Sequence, residues 1–245
     1  MSVNSRPVLL DMRGSVGMVD ELWDAVPSTL DGAEINAKSV NAAEVADGAG
    51  IRGKSFGPSH PLATALSVDC EPASPSAIVD SIRHQIGRAR RIGATWMNVR
   101  LPGDGVVPGG SSNRMGGLEL SYAIWKGLRF EAEEQGIRLG IVAGKGGSLV
   151  SATEAREVID ACASHAVGVC LDSTMASSVE ELLEWITTLR FRVTCLRWSN
   201  GMPASRFDEL CAALREAAYD GPMVVGAEMT ATTGFAELAA RLRSS

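Results

Sequence analysis

The stretch SATEAREVIDACASHAVGVCLDSTMASSVEELLEWITTLRFRVTCLR, residues 151–197, decides the fold. Ser151 and Glu154 have capping-box spacing, in which a hydroxyl and a carboxylate three residues apart satisfy the first free amides of a helix. That spacing predicts a helix over 151–164. The run VGVCL at 167–171 is short, apolar and rich in β-branched residues, as a strand buried on both faces must be. A second helix is predicted over 178–189 and a second strand, RVTCLR, over 192–197. Strands of this kind separated by helices imply a parallel sheet covered on both sides.

The same alternation runs outward in both directions. Upstream, strands are predicted at 7–11, 32–36, 63–69, 95–100 and 137–142, with helices at 18–26, 42–46, 74–91 and 118–135. In the third of these helices Ser74 can cap, Pro75 suits the first helical position, and Ile78, Ile82 and Ile86 form one apolar stripe. Gly136 is a fitting residue to stop the fourth. Downstream come a helix at 205–218, a strand at 222–227 and a last helix at 233–243. Eight strand–helix units point to one α/β domain over 1–245, a single (β/α)8 TIM barrel. An open doubly wound sheet is the alternative. It wants a GxGxxG turn after its first strand, and DMRGSVG at 11–17 does not supply one.

The bulk numbers narrow the function. The chain has 245 residues, 45% hydrophobic and 21% charged, enough to bury a full core without staples. Its net charge of -6 and the lack of a Lys/Arg run argue against nucleic acid as a partner. The five cysteines are scattered, with no CxxC, and several lie in apolar runs, as buried free thiols do in a reducing compartment. No apolar run approaches about 18 residues, so no membrane span is expected. MSVNSRPVLLD does not read as a signal peptide. The expectation is a cytoplasmic protein with a small-molecule substrate, and a homodimer is an open option.

Several stretches carry a resemblance. ARRIGATWMNVRLPGD (89–104), EEQGIRLGIVAG (133–144), GVCLDST (168–174), YDGPMVVGAE (219–228) and LDGAEIN (30–36) together resemble the sugar-phosphate isomerase/epimerase, xylose-isomerase-like TIM barrels. The resemblance implies a site at the C-terminal ends of the strands, a divalent metal held by carboxylates and histidine, and proton transfer on sugars or similar polyols. Matched residue by residue, the glutamate implied on strand five falls on Val142, and the aspartate on strand six is Asp172. A histidine just after it falls near Met175, the strand-seven histidine near Arg197, and the strand-eight glutamate on Gly226, with Glu228 two residues on. His60, His84 and His165 all miss the strand ends. Hard cations need clustered oxygen or imidazole ligands. The expectation is therefore no metal and no cofactor, although a rearranged site from Asp172, Glu228 and Asp69 would reverse it.

The predicted rim supplies other chemistry. Asp172 is the first choice for a catalytic acid or base, with Glu34 and Glu228 as partners. Arg197, Arg100 and Arg13 could hold a carboxylate or phosphate, or could simply pair with neighbouring acids. Asn98 and Lys145 join the substrate-binding set; the lysine sits in GKGGS, where a Schiff base or an amide nest is conceivable but a solvated side chain is the plainer reading. Trp198 could line an apolar pocket or could pack. Alternation puts Val193, Cys195, Arg197 and Ser199 on one face of strand seven, and Cys170 with Asp172 on one face of strand six. The leading expectation is a metal-independent isomerase/epimerase or lyase moving protons on a small oxygenated anionic substrate. The alternative is a non-catalytic ligand-binding or accessory barrel.

Overall fold

The structure, a computed structural model, describes residues 8–11, 32–36, 63–70, 74–91, 93–101, 114–143, 149–198 and 206–226. The strands are β1 (Val8–Asp11), β2 (Gly32–Asn36), β3 (Ala63–Asp69), β4 (Trp96–Arg100), β5 (Arg138–Ala143), β6 (Val167–Asp172), β7 (Val193–Trp198) and β8 (Met223–Val225). The helices are α1 (Pro75–Arg91), α2 (Arg114–Gln135), α3 (Ala152–Cys162), α4 (Val179–Leu189) and α5 (Phe207–Glu216). The strands are hydrogen-bonded in sequence order into a closed barrel, β1 beside β8. Every pairing is parallel. The TIM barrel is thus borne out. The helices expected at 18–26, 42–46 and 233–243 lie outside the described residues.

Local signals set the boundaries. Ser74 Oγ accepts from the Ala77 amide at 3.3 Å and opens α1 one residue before Pro75. Arg88, Arg90 and Arg91 close that helix where its carbonyls carry partial negative charge. Ser151 Oγ accepts from the Glu154 amide at 3.3 Å, and Ser178 Oγ from the Glu181 amide at 3.2 Å, so α3 and α4 begin where the sequence indicates. Gly136, at φ +67, ends α2 in the left-handed conformation that glycine adopts without penalty. The start of α2 differs: it begins at Arg114, ahead of the apolar periodicity that suggested 118.

Strand alternation divides the core in two. Leu139, Ile141, Val169, Leu171, Leu196 and Trp198 face outward and are buried with the helix residues Trp125, Leu128, Ile159, Ile186 and Leu210. Val142, Cys170, Cys195 and Val224 face inward and form a separate apolar cluster inside the barrel, with Trp96 packed against it. Fully burying aliphatic side chains of this size contributes roughly 1.5–3 kcal/mol each, so both layers are needed for stability.

One irregularity re-aims β7. Val169 pairs with Val193 and Cys170 with Cys195, so Thr194 is the extra residue of a β-bulge. Simple alternation is wrong for Val193. It is buried with Val169 in the outer core, while Thr194 turns toward β5 and β6. A Cβ on Gly168 would lie 2.4 Å from Thr194 Cγ2, and one on Gly140 would lie 2.8 Å from Thr194 Oγ1. Glycine at those two register-paired positions is what gives the bulged threonine room.

Candidate active site

The polar residues inside the barrel are held by strands on opposite sides of it. β2 contributes Glu34, β3 Ser67, β4 Asn98, β6 Asp172 and β7 Arg197, and all five are buried. Asp172 and Arg197 are register partners on neighbouring strands, each near the strand's C-terminal end. Arg197 lies just beyond the Cys170–Cys195 pair of the inner apolar cluster.

Arg197 is the hub. Its Nε donates to Glu34 Oε2 at 2.8 Å, and its Nη2 donates to Glu34 Oε1 and, at 3.2 Å, to Ser67 Oγ. Nη1 lies 3.5 Å from Asp172 Oδ2. Asn98 Nδ2 donates to Glu34 Oε1 at 2.9 Å and to Cys195 Sγ at 3.3 Å. Asp172 Oδ1 in turn accepts from the Thr174 hydroxyl at 2.6 Å and the Thr174 amide at 3.1 Å. The result is a guanidinium bound bidentately on one edge and facing a second carboxylate with its remaining nitrogen.

Electrostatics follow the contacts. Burial opposes the charge on Arg197, but the Glu34 carboxylate and its hydrogen bonds to the guanidinium outweigh it and push its affinity for the proton upward, so it stays cationic. Burial pushes the Cys195 thiol well above its ordinary range, helped by its hydrogen bond with Cys170 and by nearby Glu34, with Arg197 opposing. Cys195 is therefore a neutral thiol and an apolar floor to the site, not a nucleophile.

Placement of the expected residues is mixed. Glu34, Asn98, Asp172 and Arg197 converge. Arg100 stands at the rim and faces Asp69, its register partner, at 3.6 Å between Nε and Oδ1. Trp198 points away from the interior and packs edge-on against Phe207 of α5, with ring centroids 5.9 Å apart. Its neighbour Arg197 takes the inward face, so Trp198 is a core residue and the pocket-lining expectation is corrected. Arg13, Lys145 and Glu228 lie outside the described residues. Ser67 and Thr194 went unread in the sequence. Ser67 was within reach of strand alternation, being two residues before Asp69 on the same face. Thr174 carries a local signal too, since Asp-x-Thr places a hydroxyl and an amide where the aspartate can accept both.

Among the described residues, the donor set does not suit a hard divalent cation. Glu34 is committed to a guanidinium and an amide, Asp172 to Thr174 and the guanidinium edge, and a fixed positive charge stands between them. Among the described residues no three His, Cys, Asp or Glu side chains come together as metal ligands.

No family model and no curated protein matches the chain in sequence. Solved structures do match it in shape. A D-psicose 3-epimerase from Clostridium cellulolyticum H10, solved with D-tagatose, superposes at a TM-score of 0.74 and 13% identity, over 97% of this chain and 96% of that one. The IolI protein, solved with a binding zinc atom, superposes at 0.69 and 12% identity, over 97% and 95%. An L-ribulose 3-epimerase superposes at 0.66 and 14% identity, over 98% and 92%. The resemblance read from GVCLDST and its companion stretches is therefore borne out as a likeness of fold: the chain is built on the same (β/α)8 barrel as the xylose-isomerase-like sugar epimerases and isomerases.

Proposed function

We propose that this barrel is an isomerase/epimerase-type enzyme that moves a proton on a small oxygenated substrate and uses a guanidinium in place of a metal. The observation that carries the reading is Arg197 Nη1 at 3.5 Å from Asp172 Oδ2, on paired strand ends. Asp172 accepts a proton from a carbon next to a carbonyl, and the electron pair moves onto the carbonyl oxygen. Arg197 stabilises the resulting enolate, the role that oriented donors play wherever charge develops in a buried site. Return of the proton by Asp172 to the former carbonyl carbon, with the hydroxyl on the deprotonated carbon passing its proton to the enolate oxygen and becoming the new carbonyl, gives isomerisation. Return to the opposite face of the same carbon gives epimerisation and needs a second acid, the part proposed for Glu228. Arg100, a third exposed at the rim, meets the charged end of an anionic substrate, and Arg13 and Lys145 are proposed to assist it.

Deuterium wash-in tests this directly. Purified protein, treated with a chelator, is incubated in D2O with ketoses, sugar phosphates and 2-hydroxy or 2-keto acids, and carbon-bound deuterium is followed by NMR. Expected is exchange into at least one compound, retained after chelation and lost in Asp172→Asn. Exchange that requires added Mn, Zn or Mg would overturn the metal-free reading.

A second reading has its own support. Glu34 is fully buried, Arg197 2% and Asp172 4% exposed, and each is engaged by another side chain of the network. A self-satisfied ionic layer of this kind suits a non-catalytic barrel that binds a ligand above it. Binding of the same compounds without any wash-in would select this reading over the first.

A further inference from the structure

We infer that Glu34 is a positioning residue whose work is to hold the Arg197 guanidinium off Asp172. The inference rests on reading Asp172 as the proton carrier. It differs from the sequence expectation, which made Glu34 itself an acid or base.

Glu34 and Asp172 compete for one cation. Asp172 is the register partner of Arg197 on the adjacent strand, and Glu34 lies on β2, which does not pair with β7. Proximity along the sheet favours the Asp172 pair. Yet the bidentate contact goes to Glu34, through Nε and Nη2, and Asp172 is left with Nη1 at 3.5 Å. Charge-assisted N–H···O bonds close to about 2.7–2.9 Å when nothing restrains them.

The restraint is visible in what surrounds Glu34. Asn98 donates to Oε1 at 2.9 Å, and its amide is turned by a second contact from the same nitrogen to Cys195 Sγ at 3.3 Å. Ser67 accepts from Nη2 at 3.2 Å on the β3 side. Residues of β2, β3 and β4 thus draw the guanidinium across the barrel, while Thr174 anchors Asp172 on its own side through Oδ1. A carboxylate clamped bidentately by arginine is a poor proton acceptor, because the cation stabilises its charged form. Glu34 takes up that clamp, and Asp172 keeps a cation near enough to meet an enolate without being consumed by it.

Crystal structures of two variants decide the matter independently of turnover. In Glu34→Gln the guanidinium swings onto Asp172, and Nη–Oδ2 closes to about 2.8 Å. In Glu34→Asp the charge stays but the side chain is shorter, so the guanidinium is drawn toward β2 and the gap to Asp172 widens. A guanidinium that stays where it is in both variants would overturn the inference. Should Glu34→Gln not fold, Glu34→Asp alone decides by the direction of that movement.

Kinetics supply the second arm. Glu34→Gln is expected to lower the wash-in kcat about tenfold or more with KM little changed. In an Arg197→Met background the same change should have almost no further effect, because Glu34 acts through Arg197. Full additivity of the two losses would sink the positioning role. Absence of wash-in from the unaltered protein would instead sink the proposed reaction, and the crystallographic arm would still report on Glu34.

Discussion

Arg197 on β7 and Glu34 on β2 meet across the inside of the barrel, their side chains 2% and 0% exposed. A buried pair of this sort costs desolvation on both sides and contributes modestly to stability as a pair. Removing one member strands the other's charge, which typically costs about 3–5 kcal/mol. Arg197→Met should therefore lose roughly that much in urea denaturation at neutral pH. The double variant Arg197→Met/Glu34→Gln removes both charges and should recover a large part of the loss. Equal or greater destabilisation in the double variant would mean that the pair is not the coupled unit described above.

The bulge on β7 makes a packing prediction. A methyl on Gly168 would sit 2.3 Å from the Arg192 carbonyl oxygen and 2.4 Å from Thr194 Cγ2, and the backbone oxygen cannot move aside cheaply. Gly168→Ala should destabilise by at least about 1–3 kcal/mol, the usual range for overpacking. Gly127, in the middle of α2, has nothing within 4 Å of its missing Cβ. Gly127→Ala should stabilise by about 0.5–1 kcal/mol through lower backbone entropy in the unfolded chain. Thermal melts of the two variants should move in opposite directions.

The contrast between these glycines shows what the sequence could and could not disclose. Period-2 and period-3.6 patterns gave the strand and helix order, because burial on both sheet faces and on one helix face is written in residue type. The inward set Asn98, Cys170, Asp172, Cys195 and Arg197 follows from alternation once the strands are placed. Alternation fails at Val193, because a bulge is one extra residue and leaves no mark in hydrophobicity. The partnership of Glu34 with Arg197 was one of several ion pairs that the sequence left open. The two are separated by 163 residues, and only closure of the sheet brings β2 opposite β7. The sequence allowed the arginine any neighbouring acid; the closed barrel gives the bidentate contact to Glu34 and leaves Asp172 at 3.5 Å.

Buried thiols predict a pH response. Burial pushes the Cys162 thiol up to about 11, against the pull of Arg129 and Lys126, and burial also pushes Cys195 well above its ordinary range. In the unfolded chain thiols ionise from about pH 8.5. Above that pH the folded state holds protons that the unfolded state has released, so stability falls as pH rises, through the window ending near 11 for Cys162. Each such thiol adds up to about 1.4 kcal/mol per pH unit to the slope. Cys162→Ala should flatten the decline of the urea midpoint between about pH 9 and 11. Superimposable slopes for the two proteins would contradict the assignment. In the native protein Cys70, the one cysteine not fully buried, should react with a maleimide before the other four.

Trp198 separates packing from binding. Its ring meets Phe207 edge-on at 5.9 Å and an interplanar angle of 89°, on the helix side of β7. Edge-to-face aromatic pairs add about 0.5–1.5 kcal/mol beyond their buried area, and truncating a buried tryptophan to alanine leaves a large cavity. Trp198→Ala should cost about 3–5 kcal/mol, whereas Trp198→Phe, which keeps an aromatic face toward Phe207, should cost much less. Because Trp198 faces the helices, Trp198→Phe should leave the affinity for any ligand of the barrel mouth within about twofold, while Asn98→Ala, at an inward position, should change it. Calorimetric titration of the two variants with a compound that the unaltered protein binds makes the comparison. A large affinity loss in Trp198→Phe with its melting temperature intact would place the indole in the pocket after all and would require β7 to be rotated from the register found with β6 and β8.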